Sequence, residues 1–172
     1  MINIRKINVQ EIYSLQLLGK QTFTETFAAF NSAENMVKYV TEGFSIEKLE
    51  SELNNIDSEF YFAEENNTPI GYLKLNFGNN QTELKDHKAL EIERIYVLKE
   101  YHGKSVGQLL YQKAIEVAKN KHVDYVWLGV WEENKRAINF YSKNGFKAFD
   151  THLFVLGDEA QTDIMMKLVL VY

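Results

Sequence analysis

The 172-residue sequence contains no cysteine. That excludes disulfide scaffolds and thiolate-based zinc sites. It also fits a reducing compartment, the cytoplasm. Proline occurs once, at Pro69, inside a turn-like NNTP stretch. No run approaches the roughly 18 apolar residues that a membrane span needs. The start, MINIRKINVQ, lacks the apolar stretch of a signal peptide. There is no excess of positive charge either: 19 basic residues stand against 24 acidic ones, for a net charge of −5. That balance disfavours nonspecific nucleic-acid binding and favours approach of a cationic partner. The four histidines, His87, His102, His122 and His152, are scattered without metal-ligand spacing, so no metal is expected. A Walker A loop is absent, which excludes an ordinary P-loop NTPase.

What is present is a core. Hydrophobic residues make up 45% of the chain and aromatics 13%. That suits a single domain of ordinary size spanning residues 1–172. INIRKI (2–7) alternates like a strand. Asn8 and Glu11 have capping-box spacing, and Ile12, Leu15, Leu18 and Phe23 mark a helix face that ends near Phe27. Two short helices are expected after Ser32 and Ser45. SEFYFAEE (58–65), IGYLKLNFG (70–78), ALEIERIYVL (89–98) and VDYVWLGVW (123–131) read as strands. NNQTELKDHK (79–88) reads as a loop. A helix is expected from Ser105 to Lys121, and another from Asn134 to a Gly145 cap. FKAFDTHLFVL (146–156) and TDIMMKLVLV (162–171) close the chain as strands.

The stretch HGKSVG (102–107) joins a strand to a helix. Glycine allows a tight turn and close approach to a ligand. The first N–H groups of a helix lack intrahelical partners and face an anion favourably. Two glycines alone are more often the mark of a plain turn, and the third glycine of a dinucleotide fingerprint is missing. Downstream, after the strand YVWLGVW, comes NKRAINFYSKNGF (134–146).

These two segments, in this order, resemble the two signature regions of the GNAT superfamily of N-acetyltransferases. There a (Gln/Arg)-x-x-Gly-x-(Gly/Ala) loop is followed by Asn-x-x-Ala-x-x-Phe-Tyr-x-x-x-Gly-Phe. TFTETFAAFNSAENMVKYV, LEIERIYV and GDEAQTDIMM resemble PaiA-type polyamine N-acetyltransferases, and the similarity covers nearly the whole chain. The resemblance implies an α/β fold (α+β by some schemes), with a mixed, mostly antiparallel sheet of about seven strands flanked by helices. It implies acetyl-CoA as cosubstrate, a spermidine- or spermine-like amine as acceptor, and a homodimer in many relatives. Two positions depart from the pattern. His102 stands where the family has Gln or Arg, and Ser105 where it has Gly.

Acetyl transfer to an amine requires removal of a proton from a group whose pKa is about 10.4. It also requires donors for the developing oxyanion and an acid for the departing thiolate. Glu91 and Glu93, two apart on a strand, point to one face together with Ile95 and Val97. The resemblance favours Glu93 as base, with Glu91 as support or as part of the amine site. Solvated strand acids are the alternative for both. Tyr141 is the candidate acid, singled out among ten tyrosines by its motif. The resemblance also places the donor against Ile95, Tyr96 and Val97, with an oxyanion donor near Val97. It implies phosphate contacts from His102, Gly103, Lys104, Ser105, Val106 and Gly107. Asn134 is either a helix cap or a ligand of the pantetheine arm, and Lys143 either a phosphate ligand or a solvated lysine. Glu25, Glu34 and Asp163 are candidate polyamine ligands, as are Asp158 and Glu159, with Tyr39 and Trp131 as aromatic walls. Two other readings stay open. One is an acetyltransferase for a protein N-terminus, a lysine or another small amine. The other is a non-catalytic CoA-binding regulatory module.

Overall fold

The structure, a computed structural model, describes residues 1–172. Strand β1 (Ile2–Lys6) leads through a short turn of helix into α1 (Ile12–Phe27). Asn8 and Glu11 form the expected capping box on that turn. Helices α2 (Ala33–Gly43) and α3 (Ile46–Leu53) follow. Ser32 and Ser45 cap them by accepting from the N–H groups of Asn35 and Lys48. Strands β2 (Ser58–Glu65) and β3 (Thr68–Phe77) form a hairpin. Its turn is Asn66–Asn67, both at positive φ, and Pro69 lies just inside β3, next to Ile70, the extra residue where the register slips between Ala63 and Glu64. Strand β4 (Ala89–Val97), helix α4 (Val106–Asn120) and strand β5 (Tyr125–Trp131) make the central unit. Helix α5 (Lys135–Lys143) and the hairpin β6 (Lys147–Leu156)–β7 (Glu159–Val169) complete the chain. β7 begins three residues earlier than its alternation suggests, because the β6–β7 turn is tight.

All seven strands join one sheet, in the order β1-β2-β3-β4-β5-β7-β6. Every pairing is antiparallel except β4–β5. The sheet is covered on one side by α1, whose Leu15, Leu18 and Phe23 are buried, and on the other by α4, whose Leu110, Ala114 and Ala118 are fully buried. No helix is long and apolar enough to cross a membrane.

Two irregularities of the sheet shape the site. First, the β3–β4 register slips: Lys74 faces Arg94, but Leu75 faces Ile92, so Glu93 is an extra, bulged residue. Second, β4 and β5 pair only through Ala89–Glu91 and Tyr125–Trp127. Beyond Glu91 the two strands part. β5 runs on along β7 to Trp131, and β4 runs on along β3 to Val97. A cleft opens between them.

Candidate active site

The cleft holds two spaces that meet at Ile95, Tyr96, Asn134, Ala137 and Tyr141. The smaller, about 280 Å³, reaches toward the acids of β4, and the larger, about 600 Å³, runs past the 102–107 loop.

The bulge corrects the expected face assignment. Antiparallel partners share a face, so Ile95 (opposite Leu73) and Val97 (opposite Gly71) lie on the α4 side. Glu91 (opposite Asn76) shares the other face with Arg94 and Tyr96. Glu93 still joins Glu91, because the bulge re-aims it. Asn76 Nδ2 donates to both carboxylates, at 3.0 Å to Glu91 and 2.6 Å to Glu93. The bulge lies at Glu93, upstream of the Ile95–Val97 stretch.

The two acids live in different surroundings. Glu91 is 3% exposed and accepts from the Thr82 N–H (2.9 Å) and hydroxyl (2.5 Å). Thr82 is delivered by the 78–88 loop, which Gln81 pins by accepting from Trp127 Nε1 at 2.7 Å. Burial pushes the Glu91 carboxyl up, and its hydrogen bonds to Thr82 and Asn76 only partly offset this. Burial acts the same way on Glu93, but Arg94 and Lys74 outweigh it and bring that carboxyl down to about 2. Lys74 Nζ sits 2.5 Å from Glu93 Oε2 and 3.2 Å from Glu52, while Arg94 reaches Glu52 at 3.4 Å and Glu93 at 3.5 Å. Sequence reading missed Lys74, Asn76, Thr82 and Arg94. They alternate along strands or sit in a polar loop, and nothing in such a pattern says which carboxylate they meet.

Tyr141 lines both spaces and is 6% exposed. Its ring packs against Phe140 and Phe146, at 5.3 and 5.6 Å between centroids. Burial pushes its phenol well above the ordinary value, so at neutral pH it is a donor. No group of the chain accepts that hydrogen bond. Asn134 caps α5, its Oδ1 accepting from Ala137 N at 3.1 Å, and it borders both spaces.

The 102–107 loop forms one wall of the larger space through His102, Gly103, Ser105, Val106 and Gly107. Gly103 has φ 79° and Ser105 φ 62°, ψ 10°, so two residues of the loop are left-handed. Ser105 stands at the start of α4 as expected, but in a conformation that favours glycine, and its side chain makes no capping bond. The N–H groups of Gly103, Ser105, Val106, Gly107 and Gln108 find no acceptor within the chain. That row of unpaired donors, at a helix start with partial positive charge, suits a phosphate group.

Several expected ligands lie elsewhere. Lys104 does not border the loop's space; its ammonium sits 4.7 Å over the Tyr101 ring. Lys143, in the last turn of α5, borders neither space. Glu34 is in the first turn of α2, outside both. Glu25 borders the larger space, not the smaller, and accepts from Lys99 N at 2.8 Å. Asp158 is held by Asn35 Nδ2 at 2.6 Å. Asp163 does border the smaller space, beside Phe23, Phe27, Tyr39, Trp131 and Phe154. Burial raises its carboxyl, His152 lowers it, and burial wins. Its side chain makes no hydrogen bond within the chain, although its backbone pairs in the sheet.

Residues 23–146 match the acetyltransferase (GNAT) family. Among curated proteins, an uncharacterized N-acetyltransferase from the pepI 3′ region of Lactobacillus delbrueckii subsp. lactis is 36% identical over 99% of this chain and 98% of its own length. The spermidine N(1)-acetyltransferase of Thermoplasma acidophilum is 31% identical over 87% of this chain and 91% of its own. Among solved structures, the PaiA N-acetyltransferase of Thermoplasma acidophilum in complex with coenzyme A superimposes with a TM-score of 0.83, at 28% identity, over 99% of both chains. The chain belongs to the acetyltransferase (GNAT) family and is an acetyl-CoA-dependent N-acetyltransferase.

Proposed function

We propose that the acceptor is a polyamine of the spermidine or spermine class. The observation that carries this reading is the charge pattern of the smaller space. Glu91 and Glu93 stand on its β4 side, Asp163 stands on its β7 side without a hydrogen-bonding partner, and aromatic rings wall the rest. A chain of spaced ammonium groups meets a carboxylate at each side and π faces between. The similarity to a spermidine N(1)-acetyltransferase supports the same class.

Acetyl-CoA supplies the activated acetyl group; the residues of this chain bind, orient and move protons around it. The unpaired N–H groups of Gly103 and Ser105–Gln108 hold its phosphates. The open edge of β4 through Ile95, Tyr96 and Val97 takes the pantetheine arm. The Tyr141 hydroxyl donates to the leaving sulfur. Glu93 meets the amine: it is less buried than Glu91 and borders the space. With its carboxyl near 2, it accepts a proton from an ammonium of pKa about 10.4 only against a steep gradient. It therefore serves by fixing the ammonium and an exchanging water, while Glu91, the more basic of the two, shares the amide nitrogen of Asn76 with it.

Turnover with acetyl-CoA across an amine panel tests the reading. Spermidine and spermine are expected to react, with kcat/KM at least tenfold above an N-terminal peptide or free lysine. No turnover of either polyamine alongside turnover of a peptide would overturn it.

A further inference from the structure

We propose that Arg136, held in place by His102, is the side-chain ligand for the diphosphate of acetyl-CoA. The pair would do the work that the family loop ordinarily gives to Gln or Arg at position 102.

The argument starts from donors and acceptors. His102 Nε2 lies 2.8 Å from the Val97 carbonyl, and Nδ1 faces Nη1 of Arg136. A guanidinium only donates, and a carbonyl only accepts. The ring is therefore neutral, with its proton on Nε2: it donates to Val97 and accepts from Arg136. Both nitrogens are committed, so the imidazole itself has no donor left for a phosphate. Its position serves Arg136 instead.

Arg136 comes from the first turn of α5 and His102 from the opposite wall, and both border the larger space. No carboxylate pairs with Arg136, unlike Arg5 and Arg94, which both hold glutamates. An unpaired guanidinium is thus fixed beside the N–H groups of Gly103 and Ser105–Gln108, which also lack acceptors. Planar fork donors and a row of backbone N–H groups together suit two linked phosphates. His102 anchored on Val97 also ties this cation to the strand that borders the pantetheine path.

Calorimetric dissociation constants for CoA and for dephospho-CoA, which keeps the diphosphate but lacks the 3′-phosphate, test the proposal. Arg136 is exposed, so Arg136→Ala leaves the core intact. It is expected to weaken both ligands about ten- to a hundredfold, the range of a charge-assisted bond. His102→Ala is expected to weaken both about fivefold through loss of one positioning bond. His102→Gln, whose amide can donate to Val97 and accept from Arg136, is expected to stay near wild type. Adding His102→Ala to Arg136→Ala is expected to weaken binding no further, since the imidazole acts through the guanidinium. An unchanged affinity in Arg136→Ala overturns the proposal. So does a loss seen with CoA but absent with dephospho-CoA, which would place Arg136 on the 3′-phosphate. Failure of His102→Gln to rescue, or fully additive losses, removes the positioning role.

Discussion

The Tyr141 hydroxyl is a donor without an acceptor in its own chain, set where the two spaces of the cleft meet. The use proposed for this buried, protonated phenol is to donate to the leaving sulfur. Tyr141→Phe is expected to lower kcat by about ten- to a thousandfold, the span of general acid–base catalysis, with the CoA dissociation constant unchanged. Equal kcat in both proteins would remove Tyr141 from the chemistry. Glu93 leads to a pH prediction. Its own carboxyl, near 2, is ionised throughout the working range, so a rise of kcat/KM with pH reports the amine and not the enzyme. Glu93→Gln removes the group that fixes the ammonium and water, so kcat/KM is expected to fall about ten- to a hundredfold at every pH, with the midpoint of the profile unmoved. A midpoint that moves would mean that Glu93 itself takes the amine proton. Ser105 carries a different kind of signal. A left-handed serine costs about 1–2 kcal/mol, and glycine gives part of that back as unfolded-chain entropy, about 0.5–1 kcal/mol. Ser105→Gly is expected to stabilise the fold by about 0.5 kcal/mol, read as a higher urea midpoint with an unchanged slope.

At the level of elements, the bulge in β4 does three things at once. It turns Glu93 toward Asn76, places Arg94 beside Lys74, and brings both cations to Glu52 on α3. The resulting network ties α3 to β3 and β4. Because the folded-state carboxyl of Glu93 lies near 2 and an ordinary one near 4.5, its ionisation stabilises the fold above about pH 4.5. That contribution fades as pH falls toward 2. Glu93→Gln is therefore expected to lose about 3 kcal/mol at pH 7, with the gap to wild type closing in acid. A gap independent of pH would mean that packing, not charge, is lost. Most elements were legible because their signals are local. Ser32 and Ser45 cap helices, Gly145 at φ 91° ends α5, and alternation marks the strands. The bulge and the parting of β4 from β5 were not legible, because they depend on how distant segments register. The same limit separated the candidate acids. Glu25, Glu34 and Asp163 look alike in sequence, and only the seating of their elements puts Asp163 in the smaller space. Arg136 sat in plain view inside NKRAINFY, but its link to His102 joins α5 to the 102–107 loop across the fold.

The molecule as a whole carries a net charge of −5, and the polyamine proposed as acceptor is opposite in sign to acetyl-CoA. A polyamine is drawn by the long-range field and by the acids of the smaller space. Acetyl-CoA, a polyanion, approaches against that field and is received locally by Arg136 and the loop N–H groups. Salt screens the distant part of each interaction within a Debye length of about 8–10 Å at ordinary ionic strength. It screens the local part much less. Raising salt from about 0.05 to 0.5 M is thus expected to lower kcat/KM for spermidine several-fold. Over the same range kcat/KM for acetyl-CoA should change less, or rise, since the repulsion lost offsets the attraction lost. Asp163→Asn should flatten the spermidine response and leave the acetyl-CoA response as it was, because Asp163 faces only the acceptor space. Parallel salt dependence for both substrates would show that one field serves the whole cleft, and would argue against separate anionic and cationic ends.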